Sequence, residues 1–569
     1  MSELITTSVI PTSSGFVQGF VNPMHDIHTF LGIPYAYPPV GDLRFRPPVP
    51  FVDSSEEIKI CMEHAPAAPQ TQMPFDTLMS VEIDNQSEDC LYLNIWAPDT
   101  EPDSKRPVLI WFHPGACMSG SSSQVFWDGT NLARNDIIVV SFNYRLGALG
   151  WTRLDHLSSD FEGSGNLGLL DQIEAVKWVK ENIASFGGDP DNLTAYGASA
   201  GATTIMAAIL SPTAAGLFRR VVLQSPPMFM ANPSDWAATK GSLMLHSLGV
   251  PKDDVGEMRD VDVQSFLEAQ TFMTTWPNFL EGLAPIGPSV DGTVLPTTLM
   301  EHFLHKALPK GYENLEIMIG FTRDEFNFFF PFLPNFQDMD DSMFVRTYFS
   351  HIFGHKNARR AYEIYRDQIV PPSSPPSEVA RYMASDVMCR VSTLLTAENL
   401  ARHGHKVWLY EWDYESNDVE NIIKAAHMVD AIYSWDNLEY WVDNPFLGPG
   451  DDVERDQIAK QMSRAIVSFA RSGDPDHPGI PHWPAYCQPG KETERDGMVF
   501  DQEVRVERNI YDHGLALWKT QLKEYVRNQL CPIKAKEETA SLSSTTDDAA
   551  KDVSEPEGSS GKKRKIDAV

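Results

Sequence analysis

Residues 191–210 read DNLTAYGASAGATTIMAAIL, and they constrain the fold more than any other stretch of the chain. NLTAYG has the make-up of a strand, and ATTIMAAIL that of a buried helix. Between them Ser199 lies in GASAG, flanked by Gly197 and Gly201. A strand that gives way to a helix so abruptly needs a sharp bend. Glycine is needed at 197 and 201 because side chains there would collide with the neighbouring strand and helix. Such a bend holds the Ser199 hydroxyl out at the carboxyl end of the strand. The N–H of Ala200 and the start of the helix bring partial positive charge beside it.

The same alternation runs along the chain. PVLIWFH (107–113), IIVVSFNYR (137–145), NLTAYG (192–197), RRVVLQS (219–225), LEIMIGF (315–321) and KVWLYEW (406–412) read as buried parallel strands. LLDQIEAVKWVKENIASF (169–186) reads as a helix. Leu170, Ile173, Val176 and Val179 recur at helical spacing, and Gly187-Gly188 ends the run. The fold class is therefore α/β, a mostly parallel central sheet with helices on both faces. The stretches 230–310 and 326–400 are more helical and are expected as insertions above the sheet. Residues 1–531 read as a single domain. Residues 532–569 are polar and lack aromatic side chains, so they are expected to be disordered.

The chain has 569 residues and a formal net charge of −32. The tail is nearly balanced in charge, so the acidity belongs to the body. Such a surface disfavours nucleic acid and anionic membranes. No apolar run reaches the roughly 18 residues of a membrane span. MSELITTSVIPTSSGFVQG has neither the basic start nor the apolar core of a secretory signal. Six dispersed cysteines form no CxxC pair and no Cys/His cluster. These features suit reduced thiols in an intracellular, most simply cytoplasmic, protein. HFLH (302–305) and HGH (403–405) lack cysteine or acidic partners at regular spacing, so no metal site and no cofactor is expected. Lys562, Lys563, Arg564 and Lys565 form a compact basic cluster. It fits a nuclear-import signal as well as a solvated charge run.

A serine held at such a bend acts as a nucleophile when a base and an orienting acid accompany it, here in the chain order serine, acid, histidine. Sixteen histidines leave the base open on position alone. FLGIPYAYPPVGDLRFRPP (30–48), SEDCLYLNIWAP (87–98), the long stretch 165–202 around GASAG, and SFARSGDPDHPGIPHWPAY (468–486) narrow the choice. Together they strongly resemble the type-B carboxylesterase family, the cholinesterase-like branch of the α/β-hydrolases. The resemblance spans about residues 15–525. It implies an α/β-hydrolase fold with helical insertions over the active site, and serine-dependent hydrolysis of carboxylic esters.

Carried over residue by residue, the resemblance makes Ser199 the nucleophile. It places the acid at Glu325 in IGFTRDEFNFF (319–329), with Asp324 in reserve, and the base at His427 in NIIKAAHMVDAIYSW (421–435). HPGACMSG (113–120) stands where the family shows His-Gly-Gly-Gly, which implies an oxyanion hole of the Gly115, Ala116 and Ala200 N–H groups. Pro114 replaces a glycine that is not one of the usual donors. Ser225 matches a serine the family uses near the acid, and Asp430 a carboxylate after the histidine. Phe326 and Met428 stand where the family prefers glycine and are expected to bring bulk to the triad. The tryptophan that binds choline in cholinesterases falls at Ser80, which argues against choline esters. The partner positions of the family's disulfides hold no cysteine. FNFFFPFLPNF (326–336), FMTTWPNFL (272–280) and PPMFM (226–230) suggest an apolar pocket for a neutral, hydrophobic small-molecule ester. An acyltransferase or a lactone-forming or lactone-opening enzyme would use the same triad. A non-catalytic adhesion domain of the family would typically lack a triad member.

Overall fold

Ile138–Phe142 is buried at every residue, and a strand covered on both faces needs a continuous apolar run rather than an alternating one. It lies within a large sheet. The computed structural model describes residues 5–520, apart from 274–285, 334, 418–421, 443, 445, 450, 451 and 488–493. Its strands are β1 (Ile10–Thr12), β2 (Gly15–Gln18), β3 (Phe20–Val21), β4 (His28–Pro34), β5 (Ile58–Ile60), β6 (Tyr92–Ala97) and β7 (Arg106–Phe112). They continue with β8 (Ile138–Phe142), β9 (Gly188–Ala198), β10 (Arg220–Gln224), β11 (Glu316–Thr322), β12 (Val407–Trp412), β13 (Asp496–Phe500) and β14 (Arg505–Arg508).

β1, β2 and β5 make a small sheet, and the other eleven strands join in the order β14-β13-β12-β11-β10-β9-β7-β8-β6-β4-β3. From β8 through to β13 every neighbouring pair is parallel. The six predicted strands are β7 to β12, and they form the unbroken centre of this parallel block. The margins β3, β4, β6 and β14 pair antiparallel and are not among the six.

The helix predicted over 169–186 runs Leu167–Asn182 and tightens into a final turn to Phe186. It closes on Gly187, whose φ of +84° only glycine adopts at little cost. The loop after β8 is pinned to this helix by a buried ion pair: Arg145 Nη2 lies 2.6 Å from Asp171 Oδ1, and Arg145 Nε 2.8 Å from Oδ2. Ser234–Leu248 and Val263–Met273 fall in the first predicted insertion, and Pro376–Ser385 and Val391–Arg402 in the second. No described helix is long and apolar enough to cross a membrane. The polar tail, its basic cluster and residues 274–280 of FMTTWPNFL lie outside the described residues.

Register decides where chemistry can occur. Phe112 pairs with Gly197, Ala198 with Gln224, Gln224 with Gly320, and Thr322 with Trp412. The carboxyl ends of β7, β9, β10, β11 and β12 therefore lie along one edge. Open parallel sheets place their sites at that edge.

Candidate active site

β9 ends at Ala198 and the helix Ala200–Leu210 begins two residues later. Ser199 between them takes φ +53° and ψ −123°, a conformation in which L-residues are strained. The two glycines make the bend feasible. A Cβ on Gly197 would lie 2.7 Å from Gly201 C, and a Cβ on Gly201 would lie 1.9 Å from Phe112 O. The second contact ties the bend directly to the end of β7, from which the loop 113–120 departs. All eleven residues of the Ala200–Leu210 helix are buried, so the bend rests on a fixed base.

Glu325 follows β11 by three residues and His427 arrives on the segment after β12. Backbone bonds dock these segments: Asp324 N–H donates to Ala425 O at 2.9 Å, and His427 N–H to Glu325 O at 3.3 Å. The His427 Nδ1 and Glu325 Oε2 atoms are 2.5 Å apart. Glu325 Oε1 accepts the Thr322 N–H at 2.9 Å, which fixes the carboxylate plane. Both side chains are buried, and His427 Nε2 has no hydrogen-bond partner among the described residues. Asp324 turns away to Arg323, whose Nη2 lies 2.7 Å from its Oδ2, so Glu325 and not Asp324 meets the imidazole.

Among the described residues Ser225 Oγ makes no hydrogen bond, so its hydroxyl does not reach Glu325. Instead the Ser225 carbonyl accepts from Cys389 Sγ at 3.2 Å. Cys389, which the motifs did not flag, offers a sulfur within 4.8 Å of the Glu325 and His427 ligand atoms, the sole grouping of this kind among the described residues. Burial and the Glu325 charge push its thiol well up, so it stays protonated. Asp430 is structural. It accepts Tyr410 Oη at 2.6 Å and Gln224 Nε2 at 3.3 Å, and burial raises its carboxyl to about 6.

The loop after β7 curls tightly. Gly115, Ala116 and Cys117 have φ of +117°, +56° and +61°. The Gly115 carbonyl accepts both Met118 and Ser119 N–H at 2.9 Å. A Cβ on Gly115 would lie 2.0 Å from Ser119 O, so that position needs glycine. His113 beneath the loop stacks on Tyr144 at 4.3 Å, and burial pushes its imidazole down to about 4.

Ser199, His427, Gly115 and Ala116 line one cavity of about 650 Å³, counting its open mouth. Pro114 lines it, as does Met428, which sits at φ +77°. A left-handed residue directly after the histidine accounts for the glycine the family prefers there. Phe326 does not bring bulk to this cavity. Its ring packs on Phe329 and Phe336, and its N–H donates to Ser385 Oγ at 3.0 Å. Phe328 and Phe329 form the wall instead, with ring centres 5.8 and 6.0 Å from the His427 ring. Pro227 and Met230 from the PPMFM segment also contribute. Phe75, Asp76, Gln124 and Trp127 line the cavity without having been foreseen. Pro74 and Asp76 signal a helix start in sequence, but nothing local says that this short helix borders the cavity.

The model of the carboxylesterase family matches residues 6–518. The chain belongs to the carboxylesterase family. This carboxylesterase is 32% identical over 512 residues to the para-nitrobenzyl esterase of Bacillus subtilis, covering 89% of this chain and 97% of that one. It is 30% identical over 488 residues to the phenmedipham hydrolase of Pseudarthrobacter oxydans, covering 85% and 94%. A solved Geobacillus stearothermophilus carboxylesterase superposes with a TM-score of 0.77 at 32% identity, covering 90% of this chain and 99% of that one. The fold is thus that of the α/β-hydrolase carboxylesterases, and the enzyme is a carboxylic-ester hydrolase.

Proposed function

We propose that this carboxylesterase cleaves esters with an apolar body through Ser199, His427 and Glu325. The observation that carries the reading is the shared cavity. Ser199 and the imidazole of His427 border the same space, and Glu325 holds the far nitrogen of that imidazole at 2.5 Å. His427 Nε2 removes the Ser199 proton as Oγ attacks the ester carbonyl. It then returns that proton to the leaving alcohol, and a water repeats the sequence on the acyl-enzyme. Glu325 fixes the tautomer with the proton on Nδ1 and stabilises the imidazolium that forms. The N–H groups of Gly115, Ala116 and Ala200 receive the oxyanion.

Aromatic, methionine and other apolar side chains make up most of the cavity wall, which supports an apolar substrate body. The test uses p-nitrophenyl esters of increasing acyl length with wild type and Ser199→Ala. The variant is expected to lose at least about ten-thousand-fold in kcat while keeping its melting temperature. A fluorophosphonate should label wild type at Ser199 and leave the variant unlabelled. Retained ester turnover in the folded variant would refute the assignment.

A further inference from the structure

The cavity has one feature that an apolar ester does not require. Asp76 is 7% exposed and lines the same space as Ser199 and His427. Asp76 and His427 are the two titratable side chains among the described lining residues, and none of these is lysine or arginine. A buried carboxylate with no cation beside it is costly, and burial raises its carboxyl to about 6. At neutral pH it is nevertheless largely ionised.

Among the described residues its hydrogen bonds leave acceptor capacity unused. Met73 N–H donates to Oδ2 at 2.8 Å, and Ser119 Oγ to Oδ1 at 3.3 Å. A carboxylate offers about four acceptor sites, so two remain. The Met73 bond caps a five-residue helix, a task asparagine performs through its carbonyl oxygen. The cap alone therefore does not require the negative charge. Phe75, Trp127 and Phe328 line the same cavity, and the face of an aromatic ring attracts a cation.

Resting on the assignment of Ser199 above, we propose that Asp76 receives a primary ammonium group of the substrate, which makes the preferred ester amine-bearing rather than neutral. The ammonium donates to the free sites of the carboxylate while the apolar body fills the rest of the cavity. The overall charge of −32 draws such a substrate in and disfavours an acidic one.

The test uses matched ester pairs. On the acyl side, the p-nitrophenyl ester of an ω-aminoalkanoic acid is compared with that of an alkanoic acid of equal length. On the alcohol side, aminomethylphenyl butyrate is compared with ethylphenyl butyrate. In one of the pairs, wild type should favour the amine by about tenfold or more in kcat/KM, the effect of one charge-assisted hydrogen bond. Asp76→Asn keeps the cap and should bring that ratio to about one. The wild-type ratio should also fall between about pH 8 and about pH 5 as Asp76 protonates, while an alkylammonium stays charged throughout.

Binding gives a second readout that needs no turnover. In the Ser199→Ala background, phenethylammonium should raise the melting temperature, and the further change Asp76→Asn should abolish that rise. A wild-type ratio of one or below in both pairs, or an unchanged preference in Asp76→Asn, overturns the proposal. So does equal stabilisation of both backgrounds by phenethylammonium. Ester turnover that persists in Ser199→Ala refutes the triad instead, and is thereby distinguished.

Discussion

Gly201→Ala should break the site from a residue that touches no substrate. The added Cβ would lie 1.9 Å from Phe112 O and 2.8 Å from Phe112 C, and Cβ atoms essentially never approach closer than 3.0 Å. The helix start and the end of β7 must therefore separate by more than 1 Å. Neither side yields easily, because Phe112 is paired with Gly197 in the sheet and the helix is buried throughout. Forced overpacking of this kind costs about 1–3 kcal/mol. Catalysis should suffer more, since a misplacement near 1 Å costs about a hundredfold. Urea unfolding and kcat/KM on one p-nitrophenyl ester would be measured side by side. Gly256→Ala is the control: Gly256 is exposed, and its nearest neighbour atom would be the flexible Asp254 Oδ1 at 3.4 Å. It should change neither quantity. A Gly201→Ala enzyme with wild-type stability and turnover would show that the bend and the loop after β7 are not in rigid contact.

Asp171→Ala should cost about 3–5 kcal/mol in urea unfolding, because it leaves the Arg145 charge buried without its partner; a loss below about 1 kcal/mol would contradict the burial. Phe328→Ala should cost about 3–5 kcal/mol and shift the preferred ester toward bulkier groups, as the cavity wall beside His427 opens. An unchanged chain-length profile would remove Phe328 from the wall. The His113 imidazole is held down at about 4 against 6.5, so between those values the unfolded chain takes up a proton that the folded chain refuses. Its contribution, up to about 3 kcal/mol, is whole above pH 6.5 and is lost as pH falls toward 4. Asp430, held near 6, runs the other way, losing stability as pH rises through about 4 to 6. Comparing His113→Gln with wild type isolates the first effect: the variant's unfolding midpoint should fall less on acidification, and an equally steep fall would refute it.

The parallel core was legible because strands covered on both faces must be apolar throughout, and VVSF or VVL has no helical period to confuse the reading. The bend at Ser199 was legible because its glycines answer a local clash. β4 and β6 were visible only as motifs; their pairing is antiparallel and spans about sixty residues of chain, which no local pattern reports. Position in space was the harder matter. Phe326 and Phe328 are two residues apart in one aromatic run, yet one packs on Phe336 and the other on His427. Composition cannot choose between them, because the choice is made by the direction of a short irregular turn. Ser225 and Cys389 show the same limit: a position matched by motif does not bond the acid through its hydroxyl, and an unmatched thiol stands by the acid instead.

The contact between Gly201 and Phe112 divides the enzyme into parts with different freedom to change. Ser199 sits at a strand end locked by backbone pairing, whereas Phe75, Asp76 and Trp127 reach the cavity from short turns ahead of β6 and β8. Substitutions in those segments can accumulate without moving the bend. New substrates are therefore open to this scaffold through its borrowed wall, and selection for a different ester should leave its marks there while residues 112–116 and 197–201 stay fixed.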